Sequence, residues 1–531
     1  MQPIPSLVRR LRSSVCWPIR GLRLRLGKGS GVGKLNGWKG ACALILLCTA
    51  TTIILAAPSF TTLVKFDLPD GSQPRHVVLV QGIDGDLYGA TYYGGASTAC
   101  GQVRCGTVFK ITPAGTLTTL YSFDFTHGAN PDAGLVQATD GNFYGTTTYG
   151  GASGACSGGC GTVFKITPTG TLTTLHSFDN TDGANPVAGL VQATDGNFYG
   201  TTQVGGASTA CTSGCGTVFK ITSVGGLTTL HSFDESDGYG PEGGLAQATD
   251  GNFYGTTLGG GANESGTVFK ITPAGSLTTL HSFCSEADCY DGLTPYGGVV
   301  QATDGNFWGT TYSGDCNGSV FKMTPAGTLT TLYCFGYTDG ANPSAGLVQA
   351  TDGNFYGTTQ FGGTSSACEF GCGTVFELTP MGVLTTLHSF SGSDGEAPEG
   401  GLVQGTSGTL YGTTSFDTTY GDGTVFSLTV GLGPFVKTLP TFGRAGAPVN
   451  ILGTNLTHAI SISFNGTAAA FEVVSSSEIT ATVPPCATTG TVTVVIAGLR
   501  ARNSVLSSNV PFRVLPRAML GPPPCRGRVT R

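Results

Sequence analysis

Charge is scarce in this sequence: Asp, Glu, Lys and Arg make up only 11% of 531 residues. Methionine occurs 4 times and tryptophan 3 times, and beyond the N-terminus no stretch holds a 3.6-residue apolar period. Those absences exclude a helical protein. Basic surface is missing as well. The first 57 residues hold nine of the 26 Lys and Arg and none of the 32 Asp and Glu, so the remainder carries a net charge of −15. A body that acidic is unsuited to nucleic acid or anionic lipid as a partner, since both select basic surface. There is no phosphate-binding loop, no zincin motif and no isolated Ser/His/Asp set, so no motif asks for a cofactor or a metal ion.

The one long apolar run, 41–57 (ACALILLCTATTIILAA), follows the nine basic residues. A basic segment leading into an apolar one with small residues at its end is the secretory-signal pattern. Cleavage after Ala50 or Ala57 fits; the alternative is a retained anchor, since 17 apolar residues sit at the short edge of a membrane span. A membrane is expected as a partner only through this segment. The protein is expected outside the cytoplasm, secreted or on the cell envelope.

What is abundant is glycine, at 85 positions, and it recurs with a period of about 50–55 residues. Four phrases return in order. Gly-Leu-Val-Gln-Ala (Gly134–Ala138) is strand a, Asn-Phe-Tyr-Gly-Thr-Thr (Asn142–Thr147) strand b, Gly-Thr-Val-Phe-Lys-Ile-Thr (Gly161–Thr167) strand c and Leu-Thr-Thr-Leu-x-x-Phe (Leu172–Phe178) strand d. Each is β-branched or aromatic and bounded by turn residues, as strands are. Thr-Asp-Gly-Asn joins a to b, and Thr-Pro-Ala-Gly or a variant joins c to d, both tight turns. The b–c and d–a connections are longer.

Seven copies of a four-stranded antiparallel unit predict an all-β fold, a seven-bladed β-propeller spanning 58–431. The chain opens on a lone d strand, Thr61–Phe66, and the last repeat ends on a c strand at Phe426–Thr429. The first strand is therefore expected to complete the last blade, a 3+1 closure that hides an otherwise open edge. Strand parity puts the d–a and b–c loops on one face.

These phrases resemble the GloVer (Gloeobacter/Verrucomicrobia) tandem-repeat family of exported bacterial proteins. The resemblance implies a surface or secreted protein and brings no catalytic residues with it. From 435 to 516 the period stops and short alternating strands follow, including Val449-Asn-Ile-Leu-Gly-Thr-Asn455-Leu and Ser461-Ile-Ser-Phe-Asn-Gly-Thr467. They suit an immunoglobulin-like β-sandwich and resemble an IPT/TIG domain, which implies a spacer or binding module. The Pro-rich basic tail 517–531 is expected to be disordered.

Cysteines come in local pairs: Cys100/Cys105, Cys156/Cys160, Cys211/Cys215, Cys284/Cys289 and Cys368/Cys372. Pairs on separate blades cannot converge as four zinc ligands. In an exported chain they are expected to be disulfides. Cys316 and Cys334 flank one c–d hairpin, whose centre places Cys334 opposite Gly318, and a cross-strand bridge is expected there. Cys486 and Cys525 suggest no partners.

The d–a loop carries Asp-Gly-x-x-Pro at Asp70, Asp182, Asp237, Asp291, Asp339 and Asp394, with His127 in the seventh copy. A ring of carboxylates near the channel mouth would bind a cation or a hydroxyl-rich ligand. The plainer reading is an Asx-type turn, in which Asp bonds its own loop. The Asp-Gly-Asn of the a–b turn (Asp140, Asp195, Asp250, Asp304, Asp352) lacks the ladder and closing Glu of a calcium loop. The Tyr and Phe of strand b are expected to pack between blades rather than to form a sugar platform. His176, His231, His281 and His388 share one repeat position and so report the blade.

Three functions remain open. The leading one is a non-catalytic module binding a protein or glycan through the long-loop face. The second is a propeller-based lyase or glycosidase, which needs two carboxylates in different environments at the channel. The third is a purely structural surface protein. A repeat this regular weighs against catalysis, because acid, base and nucleophile need unlike surroundings.

Overall fold

The computed structural model describes residues 57–498 and 503–516. The signal or anchor segment up to residue 56 and the tail from 517 lie outside the described residues. Within them the first six repeats are sheets whose strands pair only with their sequence neighbours, as tight a–b and c–d turns require. In blade 1, Val80–Gln81, Leu87–Thr91, Thr107–Ile111 and Leu117–Ser122 bond in the order a-b-c-d. Five further blades repeat that order. The seventh takes Val403–Gln404, Leu410–Thr414 and Thr424–Thr429 from the last repeat and Ser59–Lys65 from the start of the chain. Ser59 faces Thr429 and Lys65 faces Thr424, antiparallel, which is the 3+1 closure.

Two lattices of contacts lock blade to blade. On the b strands, Tyr144 stacks on Phe198 of the next blade at 4.0 Å between centroids, and Trp308 stacks on Phe355 at 3.8 Å. Such ring pairs add about 0.5–1.5 kcal/mol beyond the area they bury. Near the axis, the a-strand glutamine of each blade accepts an N–H from the a–b turn of the blade before it. Thr139 to Gln192 (3.0 Å), Thr194 to Gln247 (2.9 Å) and Thr249 to Gln301 (2.8 Å) are three of these bonds. The last, Thr406 to Gln81 (2.9 Å), runs from blade 7 to blade 1 and closes the ring.

Strand a is only two residues long in every blade, shorter than its phrase. The reason is crowding at the axis. A Cβ on Gly134 would lie 2.2 Å from the Val78 carbonyl oxygen, and one on Gly298 would lie 2.4 Å from that of Gly244. Neighbouring a segments thus meet backbone to backbone and leave the ladder before the glycine. The register of Cys334 also differs from expectation: it faces Ser319 rather than Gly318. A bulge between Val320 and Phe321 in the c–d pair shifts the count by one. Cys316 and Cys334 are nonetheless bonded.

The remaining strands form a sandwich of two four-stranded sheets, with a short parallel pair, Phe442–Gly443 and Arg513–Val514, beside them. One contains Lys437–Leu439, Pro448–Leu452, Glu478–Thr482 and Phe471–Val473. The other contains Thr467–Ala468, Ala459–Phe464, Val492–Ile496 and Ser504–Ser507. Val449, Ile451, Phe464, Ile479, Val492 and Val494 fill the space between them. The sandwich is hydrogen-bonded to the propeller's a–b turns: Phe435 N–H to Thr406 O at 3.0 Å and Ser477 Oγ to Ile83 O at 3.1 Å. Those turns lie on the face opposite the long loops, so that face stays clear of the sandwich.

Candidate functional site at the channel mouth

The d–a and b–c loops do share a face. Backbone bridges join them in pairs such as Ser72–Tyr93, Ala129–Tyr149 and Ala184–Val204. The disulfides Cys100–Cys105, Cys156–Cys160, Cys211–Cys215 and Cys368–Cys372 pin four b–c loops just ahead of strand c, and Cys284–Cys289 pins a d–a loop. Cys486, for which the sequence offered no partner, is also disulfide-bonded. This cysteine chemistry fits an oxidising compartment outside the cytoplasm. Among the described residues no helix is long and apolar enough to cross a membrane.

The six aspartates do not gather at the channel. Asp182, Asp237, Asp291 and Asp394 each accept a hydrogen bond or ion pair from Nε2 of His176, His231, His281 and His388, at 2.7, 2.7, 3.0 and 3.0 Å. Those histidines stand on strand d, the outermost strand. Asp339 accepts from the Tyr333 hydroxyl on the same strand position. Loop N–H groups supply further bonds, as from Asp179 to Asp182 (3.0 Å) and from Ser285 to Asp291 (3.0 Å). Burial raises the Asp291 carboxyl's pKa, but the bonds from Ser285, Glu286 and His281 outweigh it and hold the pKa below the usual range. Asp70 has no such histidine and stays exposed, its N–H bonded to Asp67. The expected placement at the mouth is therefore corrected: these carboxylates stand at the rim.

The mouth is formed five residues further along the same loop. Just after the loop proline, the seven copies present Arg75-His76, Asp132, Val187, Glu242, Tyr296, Ser344 and Glu399. His76, Asp132, Val187, Glu242, Tyr296, Ser344 and Glu399 all line one cavity of about 530 Å³ on the axis. In the loop leading to blade 1 one extra residue separates the proline from the a-strand leucine: Arg75–Val78 stand where Asp132–Gly134 do in the next copy. That insertion brings His76 to the cavity. Asparagines hold the loops still, with Asn130 Nδ2 donating to Tyr92 O (2.9 Å) and Asn185 Nδ2 to Thr148 O (2.9 Å).

Polar side chains ring the cavity. On one side His76 Nδ1 lies 3.3 Å from Asp132 Oδ1, beside Tyr92 and Tyr149, and the Arg75 guanidinium stacks 4.8 Å above the Tyr92 ring. Next to His76 in the ring, Glu399 accepts from Gln360 Nε2 (2.5 Å) and Ser415 Oγ (2.6 Å); farther round, in the loop leading to blade 4, Glu242 accepts from Gln203 Nε2. The rings of Tyr296 and Tyr312 meet at 4.9 Å. Burial by itself would lower the His76 pKa, but Asp132, through charge and hydrogen bond, and then Glu399 and Glu242 hold it up at about 9. Burial pushes the Glu242 carboxyl up, opposed by Gln203 and by the charge of His76. Among the described residues no three His, Cys, Asp or Glu side chains are grouped to hold a metal ion.

The Gloeobacter/Verrucomicrobia repeat matches residues 49–209, 100–316 and 285–470. The chain belongs to that repeat family. An IPT/TIG domain matches 435–514, the sandwich. This GloVer protein has no match among curated proteins. Of solved structures, a fungal alcohol oxidase of the AA5 family in complex with copper aligns at 12% identity and a TM-score of 0.48, over 85% of this chain and 98% of its own. The extracellular domain of BT3049 from B. thetaiotaomicron aligns at 12% identity and 0.44, over 85% and 57%. An auxiliary nutrient binding protein from Bacteroides thetaiotaomicron aligns at 13% and 0.38, over 70% and 76%. Likenesses of this degree carry nothing about chemistry.

None of the mouth residues was singled out from the sequence. The signal was present: in a repeat otherwise nearly uniform, the residue after the proline changes charge, size and polarity from copy to copy.

Proposed function

We propose that this GloVer protein is a secreted or envelope-associated binding module, with its ligand, a glycan or a protein segment, held at the long-loop mouth of the propeller channel. The observation that carries this reading is the convergence on a single axial cavity of side chains from all seven copies, at a position whose chemistry changes from copy to copy. A cavity of that volume with a few polar groups among aromatic walls is of ligand-binding size. Glycan-array binding by the full chain tests it, with Val187→Trp filling the mouth and Asp182→Asn altering the rim. Binding lost in Val187→Trp and kept in Asp182→Asn is expected. The opposite result would move the ligand to the rim carboxylates, and indifference to both would remove it from this face.

A second reading rests on Glu242. Its carboxyl, pushed up by burial, stands in one cavity with Asp132 and Glu399, the unlike acid pairing that a carbohydrate-active lyase or glycosidase uses. Product release from a polysaccharide panel by the wild-type chain, abolished in Glu242→Gln, would select it.

A further inference from the structure

We infer that the ligand of the channel mouth is a saccharide bearing an organic ammonium group, and that Glu242 receives that group beside Tyr296. The inference rests on the mouth being the binding site, and it adds the charge of what binds there.

Three carboxylates, Asp132, Glu242 and Glu399, share one cavity. Two cations answer them within the protein. His76 is paired to Asp132, and Arg75 is held over Tyr92 on that same side. Glu399 stands beside His76, in the loop next to it around the closed ring, so the negative charge left over lies with Glu242 farther round the cavity, whose own partner, Gln203, is neutral. Neutral donors orient a carboxylate without neutralising it. An excess charge in a walled cleft focuses its field into the opening and favours a counter-charge there.

Aromatic rings supply the second requirement. Tyr92, Tyr149 and Tyr296 line the cavity, and the face of a tyrosine attracts an ammonium group within about 6 Å. The Tyr92 face is already taken by Arg75, whereas no cation of the protein stands over Tyr296 among the described residues. The free ring and the uncompensated charge therefore coincide.

A third observation points to a ligand without reference to charge. Thr148 lines the cavity at 4% exposure, and its hydroxyl has no hydrogen-bond partner in the protein. The corresponding b–c positions are satisfied: Tyr312 bonds Gln360 (3.0 Å), and Ser415 bonds Glu399 (2.6 Å). A buried hydroxyl left open costs stability unless something occupies it. Saccharide hydroxyls offer both donors and acceptors to it.

The test compares two sugars that differ only at C2 of each ring, an amino group against a hydroxyl: the β-1,4-linked glucosamine tetramer and cellotetraose, titrated calorimetrically into the full chain at about pH 6, where the amines are protonated. The expected result is binding of the amino sugar about tenfold or more tighter at low salt, narrowing as salt rises to about 0.5 M. Glu242→Gln, with melting temperature as a check on folding, should cut the preference to about threefold or less. Equal binding of the two sugars, or a preference that neither salt nor Glu242→Gln moves, overturns the charge requirement and leaves the mouth as a glycan site. Failure of both sugars to bind overturns the inference, and Val187→Trp on the glycan array then decides the underlying reading separately.

Discussion

The two ends of one loop behave in opposite ways. At the rim, Asp-Gly recurs in six of seven copies, and four of the aspartates meet a histidine from their own blade. At the mouth, a few residues on, the seven copies present an imidazole, three carboxylates, a valine, a tyrosine and a serine. A rim residue needs the same local bond in every blade, so repetition preserves it. A mouth residue also faces its counterparts across the axis, and there a ring of identical carboxylates would repel itself. Regularity marks what each blade requires for itself, and irregularity marks what the ring does together.

The largest expected effect lies in neither region but in what supports both. Tyr144→Ala removes a fully buried ring and its stack on Phe198, and should cost about 3–5 kcal/mol in thermal or chemical unfolding. It should weaken rim and mouth alike, so a loss of binding with unchanged melting would break the comparison. Next comes Asp291→Ala at the rim. The residue is fully buried and receives bonds from Ser285, Glu286 and His281, so its loss should cost about 2–4 kcal/mol while binding at the mouth survives below the lowered melting temperature.

The mouth should show itself in pH dependence. His76 titrates at about 9 in the folded chain against 6.5 when unperturbed. Its stabilising contribution is thus complete below about pH 6.5 and is lost as pH rises through 9. The groups facing it are Asp132, Glu242, Glu399, Arg75 and Tyr92. Melting temperature should fall more between pH 6.5 and 9 in the wild-type chain than in His76→Gln. Identical profiles would detach His76 from the acids. Smallest of all is Glu242→Gln, which should change stability by about 0.5 kcal/mol or less, since a half-buried carboxyl bonded to one amide loses little as an amide. A large destabilisation there would place Glu242 among the structural residues and erase the distinction between mouth and rim.

Much of the fold was legible because its causes are local. Asp-Gly-Asn and Pro-Ala-Gly turns dictate which strands pair, and the lone d phrase at Thr61–Phe66 announced the closure that Ser59–Lys65 makes with Thr424–Thr429. The site was not legible in the same way. The aspartates were conspicuous by repeating, yet their carboxylates are used by His176, His231, His281 and His388 beside them. The bulge at Val320 and the two-residue a strands also escaped notice, because both answer to packing against neighbouring strands and blades.

The sequence by itself determined the blade, the number of blades, the phase of closure and the cysteine pairs of the propeller, since each follows from the repeated phrases and their spacing. Only the tertiary structure decided that His76, Asp132, Glu242, Tyr296 and Glu399 share a cavity. Positions a whole repeat or more apart carry no mark of one another. They become neighbours because seven blades, each turned relative to the last, bring the same loop position back to one axis.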